Sequence, residues 1–210
     1  MDQHGKGRAA SPTSGEIRNR VPALRELLVE LTSGDDVRAE NSISRIVDLG
    51  GMAIPSLLEL IRSDSVDARW WAVRALAASP IAGAEAFLSL LADRESEVRA
   101  AAALAVCSHP DEKAVPALIK TLEDDDSLVA GLAGKALVKI GSPSVAGLLE
   151  AMESTNGSAR IIALRSLAEI RDPRAIPVMM KSISEGSAVL QFWAQDGLER
   201  LGLDMVYIKP

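Results

Sequence analysis

The apolar positions of this chain fall into paired short runs, and the pairs recur at a fixed interval. "MAIPSLLELIRSDSVDARWWAVRALAA" opens with apolar residues at helical spacing, crosses a polar turn and resumes the helical pattern after Ser65. The same order returns in four later segments. The residue after the first apolar position of each second run is Arg69, Arg99, Ala130, Arg160 and Gln191, at intervals of 30, 31, 30 and 31. Fourteen residues before each of these stand Pro55, Glu85, Pro116, Ala146 and Pro177. Proline suits a helix start, where the backbone N–H has no partner in any case. Ser65, Glu95, Asp126, Asn156 and Ser187 precede the second runs, and all but the glutamate are good N-cap residues. Starts, caps and apolar periods therefore agree on one unit, a helical hairpin of about thirty residues.

A degenerate copy, "VPALRELLVELTSGDDVRAENSISRIVDLGG", precedes these five. Its Pro22 and Arg38 are sixteen residues apart rather than fourteen. Asn41, Ser42 and Ser44 stand where later copies carry Ala, Leu or Ile, which reads as the polar outer face of a terminal repeat. The expected organisation is a disordered tail over residues 1–18 and a repeat array over 19–204, with units at about 21–51, 52–83, 84–113, 114–144, 145–174 and 175–204. A capping tail over 205–210 follows, with Tyr207 and Ile208 against the last hairpin.

The second helices can be read column by column, with Ala68, Val98, Val129, Ala159 and Leu190 as zero. Offsets 4, 7, 8 and 11 lie within about 80° of that anchor. They hold mostly small apolar residues, such as Ala72, Ala75 and Leu76, and predict the buried stripe. Offset 6 reads Arg74, Leu104, Lys135, Arg165 and Asp196, and offset 10 reads Ala78, Ser108, Lys139, Glu169 and Arg200. These columns predict a solvent lane. Trp70 and Trp71, at offsets 2 and 3, flank it with Arg74 between them. Neighbouring helical residues point about 100° apart, so the two rings are not expected to share a slot. The same two columns hold Ala100 and Ala101, Gly131 and Leu132, Ile161 and Ile162, then Phe192 and Trp193.

The stretches "ARWWAVRAL" (68–76), "VRAAAALAV" (98–106) and "ARIIALRSL" (159–167) follow one pattern, and over residues 20–204 the chain resembles the HEAT-like repeats of bacteria and archaea, including the group named after phycobilisome lyases. Ala130 and Gln191 depart from it, standing where the other copies carry Arg. The resemblance implies an all-α, right-handed α-solenoid of about six hairpins, first helices convex and second helices concave, with partners docking on the concave lane. The expected function is a non-catalytic scaffold that holds a protein or peptide. Trp70, Trp71, Ile161, Ile162, Phe192 and Trp193 would be its apolar anchors, and Arg74 and Arg165 would orient acidic groups. A second reading is a bilin lyase or chaperone, with a Trp-lined groove and Arg74 holding a propionate-bearing tetrapyrrole. A third is nucleic-acid binding along Arg74, Lys135, Lys139, Arg165 and Arg200.

Composition narrows these choices. The chain is 48% hydrophobic and 25% charged, with a net charge of −6, and its first twenty residues are net basic. The body is thus acidic, which argues against nucleic acid as the partner. No apolar stretch is long enough to span a membrane, and the N-terminus has no apolar signal region, so a cytoplasmic protein is expected. The cysteine is single, Cys107, and the histidines are His4 and His109. No His-Glu dipeptide is present, "EDDD" (123–126) lacks the alternating ligands of a calcium loop, and no His sits at helical spacing from Cys107. No catalytic residue, metal or cofactor is therefore expected.

Overall fold

Proline, cap and period place helices, and the computed structural model, which describes residues 14–203, contains them in the expected order. Its described residues form twelve α-helices in six hairpins and no strand. The hairpins are α1 (Ser14–Leu31) with α2 (Asp36–Asp48), α3 (Ile54–Leu60) with α4 (Val66–Ala78), and α5 (Glu85–Leu88) with α6 (Ser96–Ser108). Then follow α7 (Val115–Thr121) with α8 (Ser127–Ile140), α9 (Val145–Ala151) with α10 (Gly157–Ile170), and α11 (Ile176–Glu185) with α12 (Ala188–Arg200). α1 begins inside the segment expected to be disordered, and takes residues 14–18 out of it. Residues 1–13 and the capping tail with Tyr207 and Ile208 lie outside the described residues.

Local chemistry explains the boundaries. Proline sits in the first turn of α3, α7 and α11. The side chains of Ser65, Asp126 and Asn156 accept hydrogen bonds from the first free N–H groups of α4, α8 and α10. Glu95 and Ser187 make no such bond. α8 ends at Gly141 with φ 80° and ψ −137°, a positive-φ conformation open to glycine because it has no Cβ.

The second helices stack on one another in sequence order, and each first helix packs chiefly against its own second helix. The core runs along this seam. Anchors and stripe are buried as expected: Val98, Ala102, Val106, Val129, Ala133, Leu137, Ala159, Ala163 and Leu167 are all fully enclosed. In the degenerate first copy the polar face is only partly outward. Asn41 and Ser44 are exposed, but Ser42 is buried, and its hydroxyl donates to Ala39 O at 2.7 Å, so the polar atom is satisfied inside the helix.

At Arg69 and Arg99 the residue before the doublet ties the repeats together, whereas Arg160 in the same column makes no such bond and its Nε is buried without a partner among the described residues. Arg69 Nε and Nη2 donate to the two carboxylate oxygens of Asp93, each at 2.8 Å, and Nη1 donates to Ser63 O and Asp64 O. Arg99 does the same one repeat on, reaching Asp124 at 2.6 and 2.8 Å and the carbonyls of Asp93 and Arg94. At Ala130 the series stops, and that residue is simply buried.

Candidate functional site

Trp70 and Trp71 leave α4 on the side that meets α2, and Arg74 sits one turn on, over both rings and not between them as the columns predicted. Its guanidinium carbon lies 5.0 Å from the Trp70 ring centre and 5.7 Å from that of Trp71. Its Nη2 donates to both carboxylate oxygens of Glu40 on α2, at 2.9 and 2.7 Å. The rings themselves depart from the expectation of separate slots. They meet edge to face, with centroids 4.8 Å apart and planes at 90°. Long helical side chains lean back toward the helix N-terminus, and that lean closes the angle between the two Cβ directions. Both rings face α2, beside Val37 and Glu40. Trp71 is only 7% exposed and belongs to the core, so little of it is left for a partner, whereas Trp70 is half-buried.

On the other side of Trp70 an open groove of about 670 Å³ runs across α4, α6 and α8. Its origin is a deletion of bulk. The columns that hold two tryptophans in α4 hold Ala100 and Ala101 in α6, and these two alanines form the floor. Trp70, Val73 and Arg74 make one wall, Leu128 and Leu132 the opposite wall, and Leu104 and Ser108 extend the floor. Glu97 and Glu40 bring carboxylates to its edge. The volume lies within the range of sites for small organic ligands, and the lining is mostly apolar. Leu104 is 54% exposed and Leu128 62%, an unusual exposure for leucine in a structure with a well-filled core.

Of the eight residues proposed from the sequence, the groove brings together Trp70 and Arg74 only. Ile161 and Ile162 are half-buried against the core, and a Cβ built on Gly134 would stand 2.5 Å from Ile162 Cγ2, so Ile162 fills the notch that this glycine leaves. Phe192 is 61% exposed and meets the half-buried Trp193 edge to face at 5.2 Å. Arg165 lies over the Trp193 ring at 5.9 Å, with Glu169 Oε1 3.9 Å from its Nε. These residues form a second cluster near the end of the array, apart from the groove. Sequence reasoning missed Glu97 and Leu128 as lining residues. The available signal was Leu104, a leucine in an otherwise polar column.

The remaining reactive groups stay outside the groove. Burial pushes the Cys107 thiol up, against the partial pull of Lys135 and Lys139, so it is a poor nucleophile. His109 Nε2 lies 2.9 Å from Ala77 O and its ring stacks loosely on Phe87 at 5.8 Å, which ties the turn after α6 to α4. No helix among the described residues is long and apolar enough to cross a membrane.

Comparison with known proteins puts names beside this geometry. The family of HEAT repeats matches residues 84–153, and the PBS lyase HEAT-like repeat matches residues 159–185. A phycobilisome maturation protein of Synechococcus elongatus is 35% identical over 91 residues, which is 43% of this chain and 43% of that protein. The phycocyanobilin lyase subunit beta of a Nostoc species is 37% identical over 86 residues, 41% of this chain and 42% of that protein. The matched stretch thus spans about two fifths of the length of each curated relative. The solved complex of CpcE and CpcF of phycocyanin lyase, also from Nostoc, shares the fold with a TM-score of 0.55 at 24% identity, covering 70% of this chain and 98% of that one. These findings confirm the α-solenoid of HEAT-like hairpins. They overturn the expectation of a non-catalytic scaffold, because the relatives are a lyase subunit and a phycobilisome maturation protein.

Proposed function

We propose that this chain, a HEAT-repeat protein of the phycobilisome-lyase type, holds an open-chain tetrapyrrole in the groove across α4, α6 and α8 and serves as a subunit of a bilin lyase. The names of the curated relatives carry the reading: one is named for phycobilisome maturation, and the other is a subunit of a phycocyanobilin lyase. The groove gives it a physical footing. An open-chain tetrapyrrole is a long, flexible, mostly apolar molecule with flat rings. A trough lined by leucine and alanine, with a tryptophan in one wall, offers such a molecule apolar burial beside an aromatic ring.

The lining residues include no cysteine and no histidine. The chain's contribution to a lyase reaction is then to bind the pigment in one geometry and exclude water around it, which can supply much of a rate enhancement without a nucleophile of its own. A relative named as subunit beta also implies a larger enzyme, so a second protein chain is part of the proposal.

The test is co-expression with enzymes that make an open-chain tetrapyrrole from haem, with and without a candidate acceptor protein. A coloured chain is expected, together with acceptor-bound pigment that survives denaturation. Leu104→Trp, which fills the groove from an exposed position, should abolish the colour while leaving the unfolding midpoint unchanged. A colourless chain that does not raise pigment on the acceptor would overturn the reading.

A further inference from the structure

We infer that Lys135 and Lys139 of α8 form a carboxylate-binding end of the groove and set which way round a dicarboxylate tetrapyrrole lies in it, an inference that rests on the tetrapyrrole reading above. Positions 128, 132, 135 and 139 fall on one stripe of α8, because steps of four, three and four residues return to nearly the same angle. Leu128 and Leu132, the first two, line the groove. The stripe then changes character without changing direction. Lys135 and Lys139 follow as exposed amines one and two turns further on. Their charges reach across to α6, where they act on the Cys107 thiol beside the groove residue Ser108.

The other cations near the groove are engaged. Arg74 is bound to both oxygens of Glu40 and lies against two aromatic rings, so the carboxylate role expected for it from the sequence is already filled from within the chain. Arg165 stands beside Glu169 and over Trp193. Lys135 and Lys139 meet no carboxylate within 4 Å among the described residues. Of the two carboxylates at the groove's edge, Glu40 is paired with Arg74, while Glu97 near the start of α6 meets no cation within 4 Å among the described residues. The groove is therefore polarised, acidic toward the helix N-termini and basic along the later half of α8.

An open-chain tetrapyrrole of the bilin type carries two propionates on its two middle rings, and its end rings are uncharged. Residues four apart on a helix have Cβ atoms about 5–6 Å apart, a spacing that two flexible lysines can match to two neighbouring propionates. With the carboxylates at Lys135 and Lys139, the rings lie toward Trp70 across the alanine floor. The reversed pose would set the carboxylates against Glu97.

The experiment compares biliverdin with its dimethyl ester on the purified full chain at low salt, read by induced circular dichroism in the visible and by tryptophan quenching. The proteins are wild type, the pair Lys135→Met and Lys139→Met, the pair Lys135→Arg and Lys139→Arg, and Arg74→Met. Both lysines are exposed, so these changes leave the core intact. Wild type should bind the diacid about tenfold tighter than the ester, as expected for two partly exposed charge contacts. The methionine pair should lose that preference with ester binding unchanged, the arginine pair should keep it, and Arg74→Met should keep it too. Equal binding of acid and ester by wild type, or a preference that survives the methionine pair, would overturn the lysine assignment alone. Failure of wild type to bind either compound would overturn the tetrapyrrole reading and this inference with it.

Discussion

The aromatic doublets of α4 and α12 occupy the same two columns of the array, and their surroundings differ at every neighbour. In α4 the doublet has hairpins on both sides. Trp71 is driven into the seam, Arg74 is clamped between the rings and Glu40 of the preceding hairpin, and Arg69 just before the doublet reaches forward to Asp93 of the next one. In α12 no hairpin follows among the described residues. Phe192 stays 61% exposed, and Gln191, where α4 has Arg69, turns back to Gly186 O in its own hairpin. Column position fixes where a side chain points, and the neighbour that stands there fixes whether it becomes core or surface.

The largest break in that comparison is expected at Trp71. Trp71→Ala removes a fully packed ring and leaves a cavity, at a cost of about 3–5 kcal/mol. The urea midpoint should fall far more than for Trp193→Ala, whose ring is half-buried. Equal losses at the two positions would mean that the end repeat is as enclosed as the inner one.

Arg69→Met should cost nearly as much, about 3 kcal/mol or more, because it leaves the enclosed Asp93 carboxylate without its cation. The pH dependence carries a sign. Burial alone would raise Asp93, but the hydrogen bonds from Arg69 and Glu95 N–H and the Arg69 charge outweigh it and hold the carboxyl below its usual range. A depressed carboxylate stabilises the fold above its unfolded pKa, about 4, and that contribution is lost as pH falls through the folded value. Without Arg69 only the Glu95 N–H and the Arg94 charge still oppose burial, so the variant gains less stability from ionising Asp93 as pH rises. The gap between wild type and Arg69→Met should therefore be widest near neutral pH and narrow below about pH 4. A constant gap from pH 7 to 3 would remove the ion pair from the account. Gln191→Met, in the same column, should show no such pH dependence.

Much of this difference was beyond the reach of one sequence. The period, the first-turn prolines, the caps and the buried stripe were legible because each depends on residues a few positions apart in one helix. That Arg74 lies close to both rings was legible for the same reason, but not that the rings meet and leave it over the pair. The partners that decided the outcome lie far along the chain: Glu40 is 34 residues before Arg74, and Asp93 is 24 after Arg69. Glu40 also sits in the degenerate copy, whose spacing of sixteen blurs its register against the others. The groove was harder still, since its floor consists of alanines that match the repeat pattern, and an absence of bulk leaves no motif. Function lay in no catalytic motif: the repeat pattern reached a bilin lyase only as a second reading behind the scaffold, and the relatives reversed that order.

Gly197 sharpens the comparison from the α12 side. A Cβ there would meet Met179 Cε at 2.7 Å and Ala168 Cβ at 2.9 Å. Met179 can shift its flexible end, but the Ala168 Cβ is fixed to the α10 backbone. Gly197→Ala should cost about 1–3 kcal/mol by overpacking. Such a loss would establish that α12 is tightly seated on its inner side although no hairpin covers its outer side among the described residues. A neutral result would mean that the whole end hairpin is loosely held.

The smallest effect is expected at Phe192, and it isolates the lesson of the doublets. Its ring keeps an edge-to-face contact with Trp193 at 5.2 Å, worth about 0.5–1.5 kcal/mol beyond area burial in an enclosed pair and less at an exposed one. Most of the ring already meets water, so Phe192→Ser forfeits little apolar burial. The unfolding midpoint of the full chain should shift by an amount equivalent to about 1 kcal/mol or less. A loss of about 2 kcal/mol or more would require this face to be covered in solution, because an exposed ring cannot supply that much through one aromatic contact. The α12 doublet would then be a second inner one, and the contrast with α4 would reduce to a difference in which element does the covering.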